Sequence, residues 1–160
     1  MTTDGHQRAL DAVTASGVGF EVLRYGAVGS VEEAAAARGV DVSDVVKTLV
    51  VRRADDDFVF VLVPGDRAIS WPKLRTLLGV SRLSMPDAAT ALAATGYERG
   101  TITPFGSVRA WPVIADSRLA GRQITLGAGE HGLALAVPAD QALAKLAATI
   151  EDVTEPLPSR

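Results

Sequence analysis

Residues 45–63 of the chain read Val45-Val46-Lys47-Thr48-Leu49-Val50-Val51-Arg52-Arg53-Ala54-Asp55-Asp56-Asp57-Phe58-Val59-Phe60-Val61-Leu62-Val63. Both ends of this stretch are rich in β-branched and apolar side chains, which favour extended backbone. The polar run at 54–57 is typical of a hairpin turn. The stretch therefore predicts a hairpin of two central strands, at 45–53 and 58–63.

The segment before this hairpin carries helix signals. Apolar side chains recur at helical spacing over 5–16 and Gly17 follows, which predicts a first helix and its C-terminal stop. A strand is expected at 20–25. Ser30 begins a capping box, and Gly39 closes the alanine-rich turns after it, so a short second helix is expected between them.

Two serines that each lie two residues before a proline predict the next helices. Ser70 and Ser84 can cap a helix whose first turn holds the proline. The helical patterns that follow them run to Leu78 and to Ala94. Two further helices are therefore expected here.

Strand-like segments dominate the last third of the chain. They are expected at 110–114, 123–126 and 133–137, and a last helix is expected over 140–148. The acidic, proline-bearing tail at 151–160 is predicted to be flexible.

The predicted order of elements lacks a βαβα repeat. A chain of 160 residues that is 48% hydrophobic fits one globular domain. We therefore expect a single α+β domain over 1–150, built on a mixed or antiparallel sheet.

Composition excludes several kinds of site. The chain has no cysteine, and its two histidines are His6 and His131, so a zinc site, a disulfide framework and a cysteine nucleophile are not expected. No apolar run approaches the 18 or so residues of a membrane span, and the N-terminus lacks a basic segment followed by an apolar core. We expect a cytoplasmic protein that binds no metal and no membrane.

The net charge of −3 limits the kind of nucleic-acid contact that the chain can make. A protein that clamps a long stretch of phosphate backbone needs a basic surface. Any nucleic-acid contact is therefore expected to be local, with a few basic side chains around one pocket.

Glycine and proline punctuate the stretch Gly96-Tyr97-Glu98-Arg99-Gly100-Thr101-Ile102-Thr103-Pro104-Phe105-Gly106. Glycine permits positive φ and close approach of a ligand, while proline fixes its own φ. Consecutive N–H groups that point into such a turn can bind an anion or a developing oxyanion. The other interpretation is a plain connecting loop.

A second glycine-rich segment, Gly127-Ala128-Gly129-Glu130-His131-Gly132, matches the G-x-G-x-x-G pattern of dinucleotide-binding proteins. That pattern requires a helix to open at its last glycine, whereas 133–137 is strand-like and ends at Pro138. A tight turn between two strands fits the sequence better. Whether this turn lines a pocket is left open by the residues alone.

Three single residues are candidates with two interpretations each. Lys47 is a lysine in an apolar strand, so its ammonium either reaches water at the strand start or lies at a pocket floor. His131 can be a general base, although a histidine on the surface of a turn is the simpler interpretation. Asp116 can be a pocket carboxylate or an ordinary cap. No G-x-S-x-G motif surrounds any serine, so a serine hydrolase is not supported.

Four separated motifs occur in order along nearly the whole chain. They are Val46-Lys47-Thr48-Leu49-Val50, Thr95-Gly96-Tyr97-x-x-Gly100-x-x-x-Pro104-Phe105-Gly106, Pro112-Val113-Ile114-x-Asp116 and Gly127-Ala128-Gly129-x-x-Gly132-Leu133. Together they resemble the YbaK/ProX family of aminoacyl-tRNA deacylases, free-standing relatives of the editing domain inserted in bacterial prolyl-tRNA synthetase. The resemblance implies a largely antiparallel sheet or barrel with surrounding helices, and hydrolysis of mischarged tRNA without a cofactor.

The resemblance also implies roles for particular residues. Lys47 would bind near the terminal adenosine and its phosphate, and the loop from Gly100 to Pro104 would hold the aminoacyl carbonyl group with backbone N–H groups. The expected catalytic residues are Lys47, Gly100 and Pro104. The expected substrate-binding residues are Tyr25, Thr48, Thr101, Ile102, Thr103, Phe105, Gly106, Asp116, Gly127, Ala128 and Gly129.

The expected partners are the acceptor end of an aminoacyl-tRNA and prolyl-tRNA synthetase or another synthetase. In the cysteinyl-tRNA-specific branch, a serine occupies the position of Gly127 and an acidic residue that of Ala134, and this chain has neither. This departure counts against cysteine as the specific amino acid. The resemblance still implies a substrate with a small amino acid such as Ala, Ser, Thr or Cys, because apolar pocket walls exclude large side chains better than they distinguish small ones. The alternatives are a module that binds an aminoacyl or nucleotide end without catalysis and a mononucleotide-binding protein.

Overall fold

The computed structural model of the chain describes residues 3–26, 28 and 30–158. The helices of this part are α1 (Asp4–Ser16), α2 (Val31–Arg38), α3 (Trp71–Leu78), α4 (Ala88–Thr95) and α5 (Ala139–Lys145). The strands are β1 (Glu21–Arg24), β2 (Val46–Ala54), β3 (Asp57–Pro64), β4 (Arg67–Ile69), β5 (Val113–Asp116), β6 (Gln123–Gly127), β7 (Leu133–Pro138), β8 (Thr149–Glu151) and β9 (Thr154–Pro156).

The predicted hairpin forms the start of a four-stranded sheet of order β2-β3-β5-β8. Strand β2 pairs antiparallel with β3, whereas β3 with β5 and β5 with β8 are parallel pairs. Strand β2 therefore lies at an edge of this sheet, whereas β3 is paired with a neighbouring strand on both sides. The expectation of an α+β fold with mixed, largely antiparallel strand pairing is confirmed.

A second sheet has the order β1-β7-β6 and is antiparallel throughout. A single parallel bridge between Val45 and Thr125 connects it to the edge of β2. The turn between β6 and β7 is the second glycine-rich segment, and β7 begins at Leu133. The prediction of a turn between two strands is thus confirmed, and the dinucleotide-binding pattern lacks its helix.

Two apolar clusters cover the two faces of β3, because successive side chains of a strand point to opposite faces. Phe58, Phe60 and Leu62 pack toward the second sheet. Val59, Val61 and Val63 pack against α3 and its buried Leu74. This double burial explains why the strand is a nearly unbroken run of β-branched and aromatic residues.

The helix predicted to follow Ser84 begins later than expected. Asp87 is the N-cap residue of α4, and its side chain accepts a hydrogen bond from the Thr90 backbone N–H at 2.8 Å. Ser84 instead exchanges two backbone hydrogen bonds with Arg52, at 2.8 and 3.2 Å. Asp87 directly follows Pro86 and caps the helix, so the prediction that Ser84 is the cap was wrong.

The expectation of a flexible tail differs from the structure over residues 151–156. Strand β8 joins the four-stranded sheet. Strand β9 pairs with β4, and the sequence did not suggest that β4 is a strand. Val153 and Thr154 between and within these strands are both fully buried. The strand predicted at 110–114 likewise begins only at Val113. Within the described residues, none of the helices is long and apolar enough to cross a membrane.

Candidate functional site

A cavity of about 350 Å³ lies against the open edge of β2. Its other walls come from β1 and α2, from the segment before α4, and from the two glycine-rich segments. The lining residues are Tyr25, Val28, Ser30, Val31, Ala34, Arg38, Val45, Val46, Lys47, Thr48, Leu49, Val50, Met85, Pro86, Ala91, Arg99, Gly100, Ile102 and Gly127. Apolar side chains make up most of this lining, and among its described members the charged residues are all basic.

The open edge of β2 also offers main-chain groups to the cavity. Arg52 uses its N–H and C=O groups to pair with Ser84, away from β3. Within a strand the main-chain groups of alternate residues point to the same side, so those of Thr48 and Val50 also point away from β3. The N–H of Phe60, the partner of Val50, accordingly donates to Pro112 on its other side. Within residues 3–26, 28 and 30–158 these outward groups of Thr48 and Val50 have no main-chain partner, so an unpaired strand edge forms one wall of the cavity.

Lys47 is half-buried in this wall. Its ammonium donates a hydrogen bond of 2.5 Å to the carbonyl oxygen of Arg67 at the start of β4. Burial lowers the pKa of Lys47 from its usual value, while the nearby carboxylates of Asp66 and Glu32 raise it in part. An ammonium group has three donors, and the bond to Arg67 uses one. The remaining donors can bind an anionic or carbonyl oxygen in the cavity.

Arg38 is a second cation of the cavity, and the sequence did not single it out. Its two terminal nitrogens donate to the Thr125 hydroxyl at 2.8 Å and to the Tyr25 hydroxyl at 3.0 Å. Its Nε atom is buried without a hydrogen-bond partner among the described residues, as is the hydroxyl of Thr48 in the same lining. Both atoms are therefore unsatisfied polar groups buried within the cavity wall, not groups exposed to a ligand. From sequence, Arg38 resembled an ordinary basic residue in the last turn of a helix.

The first glycine-rich loop meets the second at Gly127. A Cβ atom at position 127 would lie 2.4 Å from the Ile102 carbonyl oxygen and 2.9 Å from that of Thr101. The N–H of Gly129 also donates to the Thr101 carbonyl oxygen at 3.0 Å. Close backbone packing thus joins the two glycine-rich segments, and only glycine fits at 127.

The loop directs part of its main chain to the cavity. The N–H of Thr101 is used within the loop, because it donates to the Glu98 carbonyl oxygen at 3.0 Å. Gly100 and Ile102 line the cavity, and their N–H groups have no acceptor among residues 3–26, 28 and 30–158. Gly100 has a φ of +88°, which a glycine adopts without strain. These two N–H groups are available to an oxygen atom of a ligand.

The structure brings together six of the residues that the sequence suggested. Tyr25, Lys47, Thr48, Gly100, Ile102 and Gly127 line one cavity. Seven others lie behind this lining and support the loops. They are Thr101, Thr103, Pro104, Phe105, Gly106, Ala128 and Gly129.

Asp116 lies outside the cavity. Its fully buried carboxylate accepts hydrogen bonds from the Val153 N–H at 3.2 Å and from the Thr154 hydroxyl at 2.9 Å. It also caps the 3₁₀ turn at Ser117–Leu119. The structure therefore favours the interpretation of Asp116 as a cap over that of a pocket carboxylate.

His131 lies on the surface of the turn between β6 and β7. Its side chain is 66% exposed and lies 3.3 Å from an oxygen of Glu98. It does not line the cavity. The interpretation of His131 as a turn-surface histidine agrees with this placement.

Comparison with known proteins identifies the family and the fold. Residues 26–145 match the family described as the aminoacyl-tRNA editing domain. The chain belongs to this family. The matched range contains every lining residue of the cavity except Tyr25, which directly precedes it. The resemblance inferred from the four motifs is thereby confirmed.

Curated relatives of this editing domain include proline–tRNA ligases. That of Desulfovibrio desulfuricans is 40% identical over 92 residues, which are 58% of this chain and 16% of the ligase. That of Shouchella clausii is 36% identical over 104 residues, or 64% of this chain and 18% of the ligase. The chain thus matches about a sixth of the length of these relatives.

A solved structure shares the fold over nearly its whole length. It is described as a candidate trans-editing enzyme for prolyl-tRNA synthetase. The two chains superpose with a TM-score of 0.88 at 24% identity, covering 97% of this chain and 99% of the other. The two chains therefore share one fold over nearly all of their residues.

Proposed function

We propose that the chain is a deacylase that hydrolyses the ester of a mischarged tRNA carrying a small amino acid. The observation that carries this proposal is the charge of the cavity. Lys47, Arg38 and Arg99 line it, with no acidic side chain among the described lining residues, in a chain whose net charge is −3. A local cationic pocket suits the phosphate-bearing end of a nucleic acid better than a neutral metabolite.

The lining also indicates how the ester would be cleaved. It contains no cysteine, histidine or carboxylate among the described residues, so none of its hydroxyl groups is paired within the lining with the histidine or carboxylate base that activates a nucleophile in serine and cysteine hydrolases. In the proposed reaction a water oxygen attacks the ester carbon, and the carbonyl oxygen becomes negative. The carbonyl double bond then re-forms as the bond to the ribose oxygen breaks, and the ribose oxygen takes up the proton that the attacking water loses. The products are the free amino acid and a tRNA with a free terminal hydroxyl.

In this proposal two groups stabilise the negative carbonyl oxygen. One is the pair of free N–H groups of Gly100 and Ile102, and the other is the ammonium of Lys47. A single such donor contributes roughly 100- to 1000-fold in rate in well-studied hydrolases. Because an aminoacyl ester is already activated, help of this size is sufficient for an editing reaction.

The α-ammonium group of the substrate needs acceptors in a cationic cavity. The carbonyl groups of Thr48 and Val50 on the open edge of β2 can supply them. The rest of the lining, including Ala34, Leu49 and Ile102, is apolar and leaves little room beyond the sugar and the aminoacyl group. Such walls exclude large side chains better than they distinguish small ones. Alanine, serine, threonine and cysteine are the proposed amino acids.

The relatives suggest the partner. Because the curated relatives are proline–tRNA ligases, we propose a tRNA charged by prolyl-tRNA synthetase as the substrate, with the synthetase itself as a candidate partner. The reaction belongs to translation, so a cytoplasmic location is proposed as well.

The test is hydrolysis of a panel of tRNAs charged with Ala, Ser, Thr, Cys or Pro. The wild-type protein is compared with Lys47→Ala and with Lys145→Ala, a control on the exposed face of α5. Release that depends on Lys47 and is kept in the control supports the deacylase and names its substrate. Binding of aminoacyl-tRNA without release above the spontaneous rate would overturn the proposal in favour of a non-catalytic module.

A further inference from the structure

We propose that Arg8 of α1 is a positioning residue for the glycine-rich loop that lines the cavity. The proposal rests on the proposed deacylase function. Arg8 reaches both ends of the loop, because its Nη2 atom donates to the Gly96 carbonyl oxygen at 2.5 Å and its Nε atom donates to the Gly106 carbonyl oxygen at 3.3 Å. One guanidinium thus fixes the distance between the residues where the loop begins and ends.

The loop depends on such contacts because it has no sheet partners. It connects α4 to β5, and none of its residues belongs to a strand. Its own internal support is Tyr97, whose hydroxyl donates to the Phe105 carbonyl oxygen at 2.6 Å. The Arg8 guanidinium lies 5.0 Å from the centre of the Tyr97 ring, within the range of a cation–π contact. Arg8 therefore also contacts Tyr97, the residue whose hydroxyl group links the two ends of the loop.

The backbone of α1 packs directly on the loop. A Cβ atom at Gly106 would lie 2.4 Å from the carbonyl oxygen of Arg8. Gly106 has a φ of +79°, so both its conformation and the space around it require glycine. The main chains of the helix and of the loop end are thus in contact. This contact fixes the distance between the Arg8 side chain and the loop.

The first turn of α1 contacts the facing wall as well. A Cβ atom at Gly5 would lie 2.5 Å from the Gly129 carbonyl oxygen, and one at Gly129 would lie 2.4 Å from that of Gly5. The imidazole Nδ1 atom of His6 lies 2.7 Å from the Ala128 carbonyl oxygen. The N–H of Gly129 in turn donates to the Thr101 carbonyl oxygen. Helix α1 therefore connects both glycine-rich walls of the cavity.

This helix lies outside the range that the family comparison matches, which begins at residue 26. Its role therefore comes from the geometry of this chain alone. A catalytic N–H group must be held within about 0.5 Å of its productive position, and a displacement of about 1 Å by a distant change can cost roughly 100-fold in rate. A loop without sheet partners needs an external residue such as Arg8 for this precision.

The experiment compares the wild-type protein with Arg8→Lys, Arg8→Ala and the control Gln7→Ala. Lysine keeps the charge but lacks the planar fork by which two different nitrogens of Arg8 reach the two carbonyl groups. The exposed side chain of Gln7 donates to Asp11 on the same helix, and no other side-chain hydrogen bond is made by Gln7 within the described part of the chain. We expect Arg8→Lys to lower kcat for deacylation by roughly 10- to 100-fold, with KM for aminoacyl-tRNA changed by less than about twofold. Gln7→Ala should keep the wild-type kcat.

Two readouts separate positioning from general stability. Hydrogen exchange of the amides in 96–106 should become faster in Arg8→Lys while the amides of β3 keep their protection. Ethylguanidinium added to Arg8→Ala should restore part of kcat, because it can occupy the vacated site. If all amides lose protection together, or if kcat per folded molecule stays at the wild-type value, the proposal is overturned.

The two proposals can fail separately. A wild-type protein that releases no amino acid removes the deacylase proposal whatever the loop does. A wild-type protein that is active, with an Arg8→Lys variant equally active and a loosened loop, removes only the positioning role of Arg8.

Discussion

The guanidinium of Arg38 lies over the ring of Tyr25, with 4.7 Å between the guanidinium carbon and the ring centre, and it also donates to the hydroxyl oxygen of the same residue at 3.0 Å. The last residue of α2 is thereby fixed against the end of β1. Its third partner, the Thr125 hydroxyl at 2.8 Å, lies on β6. One cation thus joins three elements around the cavity and brings its positive charge to the lining.

Replacing Arg38 should weaken ligand binding more than it weakens the fold. Arg38→Met keeps the aliphatic volume but removes the charge and both hydrogen bonds. Since a hydrogen bond to a charged group contributes about 1.5–3 kcal/mol, we expect the Kd for aminoacyl-tRNA to rise roughly 10- to 100-fold. The measurement is equilibrium binding of a non-hydrolysable aminoacyl-tRNA analogue.

The matched control for Arg38 is Thr125→Val. This variant removes one partner of the guanidinium and leaves the cation in place. Its Kd should remain within about threefold of the wild-type value. Equal losses of affinity in Arg38→Met and Thr125→Val would mean that Arg38 acts only by packing the three elements together.

A side chain at Gly127 should separate the two glycine-rich walls. Gly127→Ala places a Cβ atom 2.4 Å from the Ile102 carbonyl oxygen, and backbone cannot yield as a flexible side chain does. Overpacking of this kind costs roughly 1–3 kcal/mol in the free energy of unfolding. We expect a loss of that size in urea denaturation, together with a loss of at least tenfold in deacylation.

Gly19→Ala is the control for this substitution. No atom lies within 4 Å of a Cβ built at Gly19, and its φ is not in the left-handed region. The variant should therefore match the wild-type protein within about 0.5 kcal/mol. A Gly127→Ala protein as stable and as active as Gly19→Ala would show that the loop can move away at no cost.

Local signals predicted the helix ends well. The capping box at Ser30, for example, forms as expected, since its hydroxyl accepts a hydrogen bond from the Glu33 N–H at 3.1 Å. The apolar, β-branched run at 58–63 likewise predicted a central strand, and both faces of β3 are buried. Such signals depend on residues that are near each other in the chain.

Contacts between distant parts of the chain were not predictable in this way. Nothing near Arg8 in sequence indicates the carbonyl groups about 90 and 100 residues away that it binds, and Arg38 finds Thr125 only when α2 folds onto β6. Strand β9 was missed for the same reason. Its polar sequence becomes a strand because β4 pairs with it and Asp116 binds Thr154.

The C-terminal segment should make stability depend on pH through Asp152. Its carboxylate lies 2.8 Å from Arg118 and 2.9 Å from Lys73. The hydrogen bond from Arg118, and then that from Lys73, holds the pKa of Asp152 below its usual value. A lowered pKa in the folded state stabilises the fold at pH values above the unfolded pKa of about 4, and this contribution is lost as the pH falls through the folded pKa.

The variant that tests this is Asp152→Asn. Its Tm should be lower than that of the wild-type protein at pH 7, and the difference should shrink below about pH 4. Asp41→Asn, at an exposed residue whose side chain makes no cap hydrogen bond, should show no such difference. A Tm difference that is the same at pH 3 and pH 7 would rule out the ionic origin.

The ammonium of Lys47 should set the upper pH limit of activity. Burial lowers its pKa from 10.5, so the charged form disappears at a lower pH than in an exposed lysine. If that form stabilises the carbonyl oxygen, enzymatic release corrected for spontaneous hydrolysis must fall as the pH rises through the lowered pKa. NMR titration of the labelled lysine Cε and Nζ atoms gives this pKa independently.

The lowered pKa of Lys47 also affects stability. Between that pKa and 10.5 the unfolded chain binds more protons than the folded protein, so stability should rise with pH in the wild-type protein and not in Lys47→Met. Lys47→Met should be slower by roughly 100- to 1000-fold with no falling limb, since it lacks one donor and the titrating group. Lys47→Arg stays charged, so the activity that it retains should also show no falling limb. The same falling limb in Lys47→Arg would assign that titration to another group.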